Sequence, residues 1–395
     1  MVLFAFMMAG AGAPPAWPPP DRLPIVAELP DPFLKPDGTR IRARREWPAQ
    51  RRRLLETILH YQYGPLPPKG AKVTGRVTDH REVGDLGSVR DIELSMGPRG
   101  VVKVRLMLAV PAGKGPFPVI LDGDLGWDRL NDAFIRAVLG RGYILAAFNR
   151  EQVGPDSAER KGVYEAWPNY DGGRLAAWAW GFHRTLDYLL TLPEVDGKRI
   201  AATGHSRGGK CALLAGATDE RIAVTAPNNS GCGGAGNYRF HDDKCETLEA
   251  IVRRFPYWFH ARFAGFMNNV QRLPFDQHTL KACVAPRALL TTEALGDLWA
   301  NPRGTQQTHQ AAREVYAWLG APDRIGIHFR QGGHEHGLQD FETLLEFCDV
   351  QLFGRTVSRR FDALAFPDAE RVWNWSAPAR SPRSSGVPTA SSGDL

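Results

Sequence analysis

Lys103 and Arg105 alternate with Val102, Val104 and Leu106 in the otherwise apolar run 101–110, VVKVRLMLAV. That two-residue period is the mark of a half-buried strand. Together with residues 72–95 it predicts antiparallel strands near the start of the folded region. Beyond residue 115 the pattern changes. Short, almost wholly apolar runs recur at 117–124, 142–149, 199–204, 221–227, 287–294 and 324–331. Runs of this length bounded by turn residues read as strands buried on both faces. Helical periods fall between them, at 128–140, 173–192 and 207–217, and another follows the last run. In the longest, Leu175, Trp178, Phe182, Leu186 and Leu189 share one face of a 3.6-residue helix. A further helix is expected over 42–62. Strands alternating with helices of this length predict an α/β fold, a three-layer α/β/α sandwich on a mostly parallel sheet.

The ends behave differently. MVLFAFMMAGAGA is apolar and then small, like the core and cleavage region of a signal peptide, although no basic residue precedes the apolar stretch. Secreted or periplasmic protein is the expectation. Residues 14–38 are rich in proline and read as an extended arm. Residues 376–395 lack the apolar content to pack and are expected to be disordered. The division is therefore 1–20 leader, 21–100 arm, helix and strands laid on the core, 101–375 catalytic domain, and 376–395 tail.

Composition narrows the function classes. The 395 residues carry a net charge of +6, but the basic residues are scattered. Arg51-Arg52-Arg53, the one tight run, lies in the expected helix and reads as a solvated face rather than a nucleic-acid patch. No apolar run after the leader reaches the ~18 residues of a membrane span. The five cysteines, Cys211, Cys232, Cys245, Cys283 and Cys348, include no C-x-x-C pair, so a zinc or redox motif is not indicated.

The chemistry centres on Gly204-His205-Ser206-Arg207-Gly208. A serine hydroxyl attacks only when a base removes its proton. One solution places it on a strained strand-to-helix turn, with small residues two before and two after. Gly204 and Gly208 hold those places, an apolar strand run precedes them and a helical stretch follows. Ser206 is thus the candidate nucleophile of an α/β-hydrolase. The partners should follow in the order acid, then histidine. Past the run at 324–331 come His334 and His336; His334 is taken as the base and His336 is its rival. Past the run at 287–294 comes Asp297, the preferred acid, with Glu293 the alternative at the strand end. The Arg207 backbone N–H is the first expected oxyanion donor and the Arg207 side chain a charged addition. A second backbone donor is expected near Gly123 and Asp124.

Gly204 to Lys210 (GHSRGGK) resembles the nucleophile motif of the glucuronoyl esterases, carbohydrate esterase family 15. The likeness extends through Asn228 to Gly234, Phe255 to Phe259, Leu273 to His278, Ala285 to Arg287, and the stretch with Glu293, Asp297, Trp299 and Pro302; it covers roughly residues 100–350. It implies a cofactor-free esterase, without a metal, that cleaves the ester between 4-O-methyl-glucuronic acid on xylan and lignin alcohols, acting as a monomer. It matches Ser206 as nucleophile, His334 as base and Arg207 as the oxyanion arginine. Lys210, Glu246 and Trp299 match residues that hold the sugar. Fungal members carry a glutamate 23 residues after the serine, and here position 229 is asparagine. The resemblance to bacterial members instead implies an acid at Asp297. A general carbohydrate esterase acting on acetyl esters, or a carbohydrate-binding pseudoesterase, would share the fold.

Overall fold

The computed structural model describes residues 17–124 and 130–379. The leader-like stretch and most of the expected tail lie outside them. Of that tail, residues 376–379 are described, and the Ser376 carbonyl accepts a bond from the Arg40 guanidinium at 2.5 Å.

Among the described residues, nine strands form one sheet: β1 (Thr74–Glu82), β2 (Gly87–Met96), β3 (Val102–Pro111), β4 (Phe117–Asp122), β5 (Ile144–Phe148), β6 (Val195–His205), β7 (Val224–Asn228), β8 (Ala288–Ala294) and β9 (Ile325–Arg330). Their order is β1-β2-β3-β5-β4-β6-β7-β8-β9. β1, β2, β3 and β5 pair antiparallel in turn, and every pair from β5 through β4 to β9 is parallel. Each apolar run expected as a strand is one. The segment 72–95 is finer than expected, because it holds two strands joined by a turn at 83–86.

The helices are α1 (Trp47–Ile58), α2 (Asp132–Gly140), α3 (Val163–Ala166), α4 (Arg174–Leu189), α5 (Arg207–Thr218), α6 (Leu248–Arg254), α7 (Gln277–Ala282), α8 (Pro302–Leu319) and α9 (Leu338–Phe353). Successive strand residues point to opposite faces. In β5, Ile144, Ala146 and Phe148 join the core under α4, α5 and α8, while Leu145 and Ala147 face α2 and α9. β4 divides likewise, with Val119 and Leu121 on the first side and Ile120 on the second. That double burial explains why these strands lack polar alternation.

The helix α4 is covered well beyond the one apolar face read from its sequence: Ala176, Ala177, Trp180 and Arg184 are buried beside Leu175, Trp178, Phe182, Leu186 and Leu189. The extra cover includes Trp258, whose ring meets Trp178 edge-on at 6.3 Å, and Trp167, which meets Trp180 at 5.7 Å. All five cysteines are buried free thiols.

Candidate active site

β6 runs straight into α5, and Ser206 sits on the corner at φ 54° and ψ −118°, a backbone state that a residue with a side chain rarely adopts. The corner is tight enough to demand its glycines. A Cβ on Gly204 would lie 2.6 Å from the Gly208 carbonyl group, and one on Gly208 would lie 2.9 Å from the Asp124 carboxylate. The Ser206 N–H donates to the Asn228 carbonyl at the end of β7 (2.9 Å), which fixes the corner to the sheet.

The loops after β8 and β9 meet over this corner. His334 Nε2 lies 2.9 Å from Ser206 Oγ, and His334 Nδ1 lies 2.5 Å from Asp297 Oδ2. The Gly296 N–H donates to the Gly332 carbonyl at 2.9 Å, and a Cβ on Gly296 would stand 2.5 Å from that oxygen. Glycine at 296 therefore lets the two loops touch. Burial alone would push the Asp297 carboxyl up. Hydrogen bonds from His334 and Asn229 outweigh it and hold the group below its ordinary range. As an ionised carboxylate it can only accept, so the His334 proton is on Nδ1 and Nε2 faces the serine as acceptor.

The two open alternatives fall elsewhere. Glu293 is fully buried within β8, where loss of solvent pushes its carboxyl up to about 8 against the pull of Lys281. His336 stacks on His205 with ring centres 5.2 Å apart.

His205, unremarked in the motif, is part of the support. Its Nε2 reaches the His334 carbonyl at 3.2 Å and its Nδ1 the Asn228 side-chain oxygen at 2.6 Å. The Asn228 amide donates on to Asp340 at 3.1 Å, and Arg330 Nε donates to the same Asp340 oxygen at 2.8 Å. Arg330 also binds Glu335, next to the histidine. A charged network thus carries the His334 loop. It joins Arg330, Glu335 and Asp340 around that loop to His205 and Asn228, more than a hundred positions earlier.

Arg207 is held by a second group that the sequence did not flag. Its guanidinium pairs with Asp156 and lies 5.0 Å from the centre of the Trp258 ring. Asp156 also accepts from Trp258 Nε1 at 2.7 Å. The Arg207 N–H opens α5, where no carbonyl of the preceding turn can take it. Two N–H groups at the start of the loop after β4 are already engaged. The Gly123 N–H goes to the Thr203 carbonyl (3.2 Å), and the Asp124 N–H turns back onto the Asp122 carboxylate (3.0 Å). The loop continues into residues 125–129, outside the described residues.

This arrangement of fold and corner has close parallels. Residues 98–320 match the family described as glucuronyl esterase, fungi. A carbohydrate esterase, MZ0003, from an unknown prokaryotic organism is 30% identical over 82% of this chain and 90% of its own length. A 4-O-methyl-glucuronoyl methylesterase from Podospora anserina is 32% identical over 79% of this chain, which spans 64% of that longer protein. A solved structure, a carbohydrate esterase family 15 glucuronoyl esterase from Caldicellulosiruptor kristjansonii, superposes with a TM-score of 0.77 at 31% identity, over 91% of this chain and 99% of that one. The chain belongs to the glucuronyl esterase family.

The three sugar-holding candidates are linked to the serine corner and to the Asp297 loop. The Lys210 N–H bonds the Ser206 carbonyl at 3.0 Å, and its buried ammonium donates to the carbonyls of Ser230 (2.6 Å) and Cys232 (2.5 Å). Glu246 lies 4.0 Å from that ammonium, and burial raises its carboxyl against the pull of Lys210. The Glu246 N–H donates to the Trp299 carbonyl at 3.0 Å, tying it to the loop that carries Asp297. The Trp299 side chain remains 46% exposed, among the largest apolar groups left open on the described surface. Among the described residues, no group of three or more His, Cys, Asp or Glu is placed to hold a metal ion, and no helix is long and apolar enough to cross a membrane.

Proposed function

We propose that this protein is a serine esterase that hydrolyses 4-O-methyl-glucuronoyl esters, the links between glucuronoxylan and lignin alcohols. One observation carries the reading: the unbroken hydrogen-bond chain Ser206–His334–Asp297, set beside Lys210, Glu246 and Trp299. Ser206 Oγ attacks the uronoyl carbonyl as its proton passes to His334 Nε2. Asp297 stabilises the imidazolium without taking the proton. The C–O bond to the alcohol breaks as His334 returns the proton to the leaving oxygen. Water then repeats the sequence on the acyl-enzyme and frees the uronate. The oxyanion is met by the Arg207 N–H and by its guanidinium, which Asp156 and Trp258 hold in place.

The His334 side chain is 45% exposed, so the site is shallow. That suits a group carried on a polymer rather than a small molecule to be engulfed. A polymer of this kind does not cross a membrane, which supports action outside the cytoplasm.

The test is hydrolysis of a benzyl ester of glucuronic acid beside a simple acetyl ester. The uronate ester is expected to be strongly preferred in kcat/KM. Turnover of the acetyl ester alone would move the substrate to acetylated polysaccharide, and turnover of neither would overturn the esterase reading. Arg207→Ala is expected to lower kcat by about 10²–10³-fold, the cost of one oxyanion donor, with KM changing much less. Arg207→Lys keeps the charge but loses the planar fork, and is expected to recover only part of that loss.

A further inference from the structure

Asn229 directly follows β7 with its side chain buried, at the position where fungal relatives are expected to carry an acid. Its N–H donates to the Thr292 carbonyl on β8 (2.9 Å), and its backbone stands at φ +40°, a state that asparagine tolerates better than most residues. From this fixed base, Asn229 Nδ2 donates to Asp297 Oδ2 at 2.8 Å. That is the same oxygen that meets His334 Nδ1 at 2.5 Å. Because a carboxylate accepts only, the amide must turn its NH2 toward Asp297.

We infer that Asn229 is a positioning residue for this reaction: its amide locks the Asp297 carboxylate in the rotamer that His334 needs and supplies a neutral donor to the charged form. The inference rests on the triad reading above. A neutral donor matters at this spot. The titratable groups around Asp297 are His334 from the loop after β9 and Glu293 from β8, the latter also within the fields of Lys281 on α7 and Lys210 on α5. A second carboxylate at position 229 would face Asp297 across a hydrogen-bond distance, and two such groups hold one proton between them rather than both ionising.

The test uses two variants of the full chain. Asn229→Gly removes the amide and accepts the φ of +40° without strain. It is expected to lower kcat by about 10–100-fold at every pH, with KM within about twofold, the weight of one hydrogen bond to a charged group. Asn229→Asp is expected to behave differently. While the carboxyl pair retains its shared proton, an O–H replaces the amide as donor and kcat stays within about tenfold of wild type. As the pH rises and that proton leaves, the donor is lost and kcat falls, a decline that wild type and Asn229→Gly do not share. A purely structural role would lower the melting temperature of both variants and leave their pH profiles parallel. Parallel profiles, or a kcat within twofold of wild type for Asn229→Gly, would overturn the inference. Asp297→Asn run alongside separates the two levels. If it keeps full activity, the triad reading itself fails; if it loses activity while the Asn229 variants do not, only the positioning role fails.

Discussion

Ser206→Ala is expected to lower kcat on a glucuronate ester by roughly a millionfold, about 8 kcal/mol of transition-state stabilisation. The loss is large because the acyl-enzyme route disappears with the hydroxyl. What remains is the catalysis that the oxyanion donors and binding provide over water, roughly 10³–10⁴-fold. KM should hardly move, because Lys210, Glu246 and Trp299 are untouched and the substitution removes one oxygen from a half-buried corner. The fold should survive for the same reason: Gly204, Gly208 and the bond from the residue 206 N–H to Asn228 set the corner, and none depends on the hydroxyl. Single-turnover hydrolysis of the benzyl uronate, beside a melting curve, checks both halves. A residual rate within a hundredfold of wild type would mean that a water, not Ser206, attacks the ester.

Much of this site was legible in the chain because its chemistry is local. The strained corner needs glycine on both sides, and that need is written within five residues. The strands announce themselves because both faces are buried, so their runs are apolar without alternation. Other features are not local. Asp156 pairs with Arg207 across 51 positions and His205 meets the His334 carbonyl across 129, so neither partnership has a spacing to read. The further burial of α4 has no periodicity to read, because Trp167 and Trp258, which close over it, come from other segments of the chain. An aspartate two residues earlier captures the Asp124 N–H in a turn, a local bond that a search for long-range partners does not reveal. The acid is open between Glu293 and Asp297 in the sequence because one stands at the end of a strand run and the other just past it. Four residues along the chain decide between a buried side chain and one that reaches the histidine.

That choice gives the second large effect. Asp297→Asn is expected to lower kcat by about 10⁴-fold, while Glu293→Gln stays within about threefold of wild type. Asp297 Oδ2 is the acceptor for two donors, His334 Nδ1 and Asn229 Nδ2. An amide at 297 has one oxygen and one NH2 group. With the oxygen inward, both bonds survive but the charge that stabilises the imidazolium is gone. With the NH2 inward, it opposes the Asn229 amide and forces the His334 proton onto Nε2, leaving no base for the serine. Either way the proton relay fails, and size and fold are nearly unchanged. Glu293 has no such duty. Burial raises its carboxyl and lowers the Lys281 ammonium, which favours the neutral form of each, and a glutamine is close to the neutral acid in charge and shape. The measurement is kcat for both variants at pH 7 on the same uronate ester. The reverse ranking, with Glu293→Gln inactive and Asp297→Asn active, would place the acid on the strand rather than the loop and would require the His334 ring to turn away from the 2.5 Å contact that now fixes its tautomer.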